Sequence, residues 1–314
     1  MGFIISPFLS PFFFGFLVAR TNWRWAYGIG SMYGAIVVFF IAFFAEETMY
    51  DRTLPNPRPI PRPVSRVRYR IETLTGITGA RMARFRAGWC EAAFGSLNLI
   101  WRPHLLSILI FEAMVFGFAI GMNTTNEVFF GLPPPVGYGF TEYGITGMYG
   151  TPIVAVFVGE LIGRFLNDWI MDFCTRRNHG VFQAEMRLWA CYVALPLYIC
   201  GFVVLGAGLQ KHLGVGALVM GWGIGQTAVM IITVAVYAYC NDCFPSRQGE
   251  VSALVNLMRT MGGFGVAYFQ VSWASKNGAL QTFGVEAAIV SGLFILVIPT
   301  LQIAGPRLRQ KYSL

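Results

Sequence analysis

Eight stretches of the chain are apolar over nearly the length needed to cross a bilayer, about 20 residues in a helix. They fall at roughly 2–19, 25–45, 105–122, 144–163, 188–209, 214–239, 251–272 and 282–304. Each is expected to form a membrane-spanning helix. The longest polar stretch, 46–104, opens with Glu46-Glu47-Thr48-Met49-Tyr50-Asp51-Arg52 and becomes Pro-rich from Pro55 to Pro63. Pro-rich composition predicts an extended linker there. The part-basic amphipathic segment that follows, Arg66 to Arg86, is expected to lie on the inner leaflet. A second polar segment, Arg164 to Arg187, is expected to be a charged, turn-rich hairpin between two spans. The pattern predicts an all-α, polytopic membrane helix bundle of about eight transmembrane helices. It divides into two spans at 1–45, a cytoplasmic loop at 46–104, and six spans with a short cytoplasmic tail at 105–314.

Composition agrees with the pattern. Of 314 residues, 55% are hydrophobic and only 12% charged, with a mean hydropathy of +0.57. A soluble domain carries about a quarter charged residues. The net charge of +8 does not signal nucleic acid, because the basic residues sit in loops between apolar spans. There they set topology and meet anionic lipid. Placing both chain ends inside puts Arg52 to Arg102, Arg164, Arg176, Arg177, Arg187, Arg247 and Arg307 to Lys311 in the cytoplasm. Arg20, Arg24, Lys211 and Lys276 are left outside, and Arg259 stays within a span. No basic region precedes the first apolar run and no small-residue cleavage site follows it, so a secretory signal is not expected. Cysteines 90, 174, 191, 200, 240 and 243 build no extracellular framework, and Cys240-Asn-Asp-Cys243 has no second pair or nearby His to complete a metal site. No nucleophile–base pair, metal cluster or phosphate loop is evident, so an enzyme is not expected, nor any cofactor.

Candidate chemistry lies inside the spans. Glu112 sits well within an apolar run, where an unpaired carboxylate costs a few kcal/mol or more. Asn123 follows eleven residues later on the same helix face, about 16 Å along the axis. That face either lines a polar path or holds a structural pair. Asn123-Thr124-Thr125 also has the form of a glycosylation sequon. Gln226 near mid-membrane, among Gly221, Gly223 and Gly225, is a solute contact or an interhelical hydrogen bond; Asn256 completes the candidate path. On the cytoplasmic side, Arg164, Asp168, Arg176 and Arg177 are candidates for a charged latch that is made in one conformation and broken in another. Asp242, Glu250 and Arg259 are expected to form a second inner cluster. Glu286, near an outer end, is expected to stay wet.

The segments TNWRWAYGIG, EETMYDR, GYGFTEYGI, GELIGRFLNDW, RRNHGVFQAEMRLW and NDCFPSRQGEVSALVNLMRTMGGFGVAY resemble the fungal drug and polyamine proton antiporters of the major facilitator superfamily. The spacing of Gly2, Ser6-Pro7, Ser10-Pro11 and Gly15 is similar to the antiporter motif of helix five in that group, with serines where glycines are common. The resemblance implies a partial major facilitator fold, with the first two spans as helices five and six and the rest as seven to twelve. Four helices of the family pattern are then not represented. It also implies secondary active transport of small organic solutes such as cationic drugs or polyamines, coupled to protons, by alternating access at the plasma membrane. The alternative is a non-transporting membrane remnant or scaffold.

Overall fold

The computed structural model describes residues 2–45, 65–81 and 88–312. The EETMYDR motif and the Pro-rich linker lie outside them. The described residues fall into two compact units, 1–19 with 95–314, and 20–94.

The larger unit contains α1 (Gly2–Arg20) and six long helical stretches. These are α6 (Pro103–Gly131), α7 (Glu142–Met148) leading into α8 (Gly150–Arg177), α9 (Trp189–Lys211), α10 (Val215–Cys243), α11 (Gln248–Asn277) and α12 (Ala279–Lys311). The second half of α5 (Trp89–Ile100) precedes them. Each apolar window that predicts a span is helical. Among the described residues, six stretches are long and apolar enough to cross a membrane by length and composition, one of them α2 (Trp23–Phe44) in the smaller unit. The exceptions are α1, which counts as a shorter apolar helix, and α11, which is long but carries Glu250, Arg259, Gln270 and Lys276.

The bundle closes through small residues rather than through one continuous apolar stripe. A side chain at Gly117 would run into the backbone of Gly262, and one at Gly262 into the backbone of Ala113, so α6 and α11 touch main chain to main chain. Such close approach is how helices associate where lipid removes the hydrophobic drive. The same device joins α9 to α10, where Gly201 meets Gly225. Around these contacts lie fully buried Phe111, Phe118, Phe202, Trp222 and Phe283. The loop after α6 folds back. Tyr138 Oη stands 2.6 Å from Gly208 O and 2.9 Å from Leu213 O, and His212 Nε2 is 2.7 Å from Pro135 O.

Two expectations need correction. The segment from Arg164 is not a loop, because α8 stays helical to Arg177 and the turn proper begins at Asn178. An i,i+4 pair, Asp172–Arg176 at 2.7 Å, and two arginines in the last turn favour that extension. The helix ends where His179 and Gly180 take positive φ, 54° and 81°. A 3₁₀ turn at Ala184–Leu188 then leads into α9. Glu286 is not wet either. It is 0% exposed and accepts from Gln270 Nε2 at 3.0 Å, because Gln270 fills the notch that Gly121 leaves on α6.

In the smaller unit, α2 (Trp23–Phe44) is apolar on every face and buries none of its residues. α3 (Arg66–Leu74) and α4 (Ile77–Arg81) join around Glu72, which accepts from Arg68 at 3.0 Å and Arg81 at 2.9 Å. The hydrogen bond from Arg68, with that from Arg81, holds this carboxyl below the usual range. Val67, Ile71 and Leu74, at i, i+4 and i+7, stay exposed.

Candidate functional site

A cavity of about 570 Å³ opens inside the larger unit, between α1 and helices α6, α8, α10 and α11. On α6 its wall is the stripe Phe116, Ala119, Ile120, Asn123, Thr124 and Glu127, whose spacing is that of one helix face. α11 supplies Arg259, Thr260, Gly263 and Phe264, α10 supplies Gln226 and Met230, and Tyr149 stands at the start of α8. Pro7, Phe8 and Pro11 of α1 close the remaining side. The mixture, aromatic walls with a few polar groups, is typical of small-molecule sites.

Of the residues expected along a solute path, Asn123 and Gln226 line this cavity. Asn123 Oδ1 accepts from the indole of Trp222 at 2.7 Å, which fixes the amide. Gln226 is 2% exposed, and among the described residues its Oε1 accepts from nothing. Glu112 and Asn256 do not line it. They lie about one helical turn nearer the N-terminal ends of α6 and α11, forming a polar floor. Glu112 Oε1 accepts from Thr233 at 2.9 Å and stands 3.5 Å from Arg259 Nε; both ion-pair side chains are at most 3% exposed. Asn256 Oδ1 accepts from Tyr237 at 2.5 Å. The Arg259 guanidinium rests on the Phe116 ring at 3.7 Å, with Tyr237 at 5.7 Å. Residues 226, 230, 233 and 237 share one face of α10, so wall and floor are one continuous stripe.

The expected second inner cluster does not form. Arg259 pairs with Glu112, Glu250 with Arg247 at 3.4 Å, and Asp242 with Arg187. Along α11, Glu250 and Arg259 are nine residues apart, about 13 Å, too far to meet. The charged groups around the 3₁₀ turn have Arg187 as their hub instead. Its Nε contacts Asp242 at the end of α10, and its Nη1 reaches Asn167 Oδ1 at 3.1 Å and Asp168 Oδ1 at 3.7 Å on α8. The turn is further tied to α12 by Glu185, which pairs with Arg309 at 3.3 Å. Arg176 pairs only within its own helix, and among the described residues Arg164 and Arg177 form no ion pair. Glu127, Tyr149 and Trp222 escaped the sequence reading. The signal for Glu127 was available, since it lies four residues, one turn, beyond Asn123 on the same helix face. Trp222 and Tyr149 read as ordinary core aromatics.

The profile of the Major Facilitator Superfamily matches residues 1–267. The chain belongs to that superfamily, and it is a multi-pass integral membrane protein. It is 20% identical to an uncharacterized MFS-type transporter of Schizosaccharomyces pombe, over 98% of this chain and 61% of the relative. It is 23% identical to the efflux pump radE of Floropilus chiversii, over 98% and 56%. It is 24% identical to the MFS antiporter QDR3 of Candida albicans, over 69% and 31%. The chain spans about half the length of the curated relatives it matches. No solved structure matches it.

Proposed function

We propose that this chain contributes to a proton-coupled secondary transporter of small organic solutes in the plasma membrane, and that the cavity beside α1 is its solute site. One observation carries the reading: in a member of this superfamily, a cavity of about 570 Å³ lies between α1 and the six-stretch bundle. Residues 1–45 then stand for the last two helices of the first half, 46–104 for the loop between halves, and 105–314 for the second half. Asn123 and Gln226 orient the solute by hydrogen bonds. A cationic amine is drawn by Glu127, while Glu112, Arg259 and Asn256 form the floor that responds to occupancy. The Arg187, Asp168 and Asp242 cluster is the inner latch, with Arg164, Arg176, Arg177 and Glu250 flanking it. Relatives named as an efflux pump and as an antiporter support export against protons.

The test is reconstitution in liposomes with an imposed pH gradient. Uptake of labelled phenylbutylamine and an interior pH dye would be followed together. Solute flux matched by opposite proton flux is expected. Correctly inserted, folded protein that moves neither would favour the non-transporting scaffold.

A further inference from the structure

Arg259 is 2% exposed, yet among the described residues its Nε and Nη2 donate to no acceptor. The nearest carboxylate oxygen, on Glu112, is 3.5 Å from Nε and is already held by Thr233. Idle donors on a buried guanidinium are costly, and Arg259 is among the residues that line the cavity. Stacking on Phe116 fixes the plane of its fork. A planar fork of N–H groups is the partner of a carboxylate, which it holds through two parallel hydrogen bonds. Toward the other end of the same cavity, Glu127 accepts from Tyr149 at 3.1 Å and has no cation paired with it among the described residues. The cavity therefore offers a positive group at its floor and a negative one toward its mouth.

We propose that the site takes an amphoteric solute. Its carboxylate is bound by Arg259, its amine is held by Glu127, and its flat apolar body lies along Phe116 and Tyr149. The inference rests on the cavity being the solute site, and it narrows the solute from a plain cation to one that is also an acid. Phe116, on which Arg259 rests, and Glu127 are eleven residues apart on α6, about 16 Å along the axis. The two charges of the solute must then be separated by a spacer. An ordinary amino acid, with both charges on one carbon, cannot reach both ends. On binding, the carboxylate competes with Glu112 for the guanidinium, which links occupancy to the floor.

Three probes of one shape test this: para-(aminobutyl)benzoate, para-butylbenzoate and phenylbutylamine, titrated calorimetrically into the purified full chain. The zwitterion should bind at least about tenfold more tightly than either half-molecule. Arg259→Gln alone leaves Glu112 buried without a cation, so the decisive protein is Glu112→Gln/Arg259→Gln, compared with Glu112→Gln. Losing Arg259 in that background should cost the two acids at least about tenfold in affinity and leave phenylbutylamine unchanged. Arg259→Lys, which keeps the charge and loses the fork, should weaken the zwitterion by a smaller factor. Acids that bind equally without Arg259, or phenylbutylamine binding as tightly as the zwitterion, would overturn the proposal. Binding of the zwitterion that depends on Arg259, without flux in liposomes, would instead overturn the transport reading alone.

Discussion

The two arginine–carboxylate centres of the larger unit have the same chemistry in opposite surroundings. Glu112 and Arg259 are both enclosed in mid-bundle, and their closest approach is 3.5 Å with donors left over. Arg187 lies in the turn between α8 and α9 at 16% exposure, with three partners, of which Asp168 is 61% exposed. That turn has spent its hydrogen bonds on structure. The floor of the cavity has not, although burial makes each missing bond there more expensive. Better pairing where water could have served, and poorer pairing where it could not, is the contrast that the proposed solute site would explain.

The largest effect should come from breaking the buried pair on one side only. Arg259→Leu is expected to cost about 3–5 kcal/mol, because Glu112 is left buried without a cation. Adding Glu112→Gln should recover most of that loss, as read from thermal unfolding in detergent. Next, Arg187→Ala should cost about 1–3 kcal/mol, through lost charged hydrogen bonds to Asn167 and Asp242. That cost should shrink at about 1 M salt, where screening reaches within about 3 Å, while the Arg259 effect should not. A salt response of equal size at both centres would erase the distinction between them. Smallest of all, Arg176→Ala removes an exposed pair within one helix and should stay within about 0.5 kcal/mol in the same measurement.

How much of this was legible in the sequence follows from where the signals are local. Apolar windows give every long helix, because span length and composition are properties of single segments. Glu112, Asn123, Gln226 and Asn256 stand out as polar residues in apolar runs, and all four fall in the wall or the floor. What sequence cannot give is which helix answers which. Arg259 was grouped with Asp242 and Glu250 through nearness in sequence, yet its partner is 147 positions away on α6, fixed by the glycine contact of Gly262 against Ala113. Arg187 was visible as part of a charged motif, but its role as hub depends on the tight 3₁₀ turn that brings it under α8 and α10. The extension of α8 was missed because a run of charges reads as a loop, although the same charges at i,i+4 stabilise a helix end.

The measurement that bears most directly on the central claim is solute flux by Glu112→Gln/Arg259→Gln in liposomes, beside its unfolding curve. If the floor serves the solute, the double variant should melt close to the wild type and yet carry no para-(aminobutyl)benzoate across the membrane. Wild-type flux from that protein would contradict the account, and would make the pair a matter of structure alone.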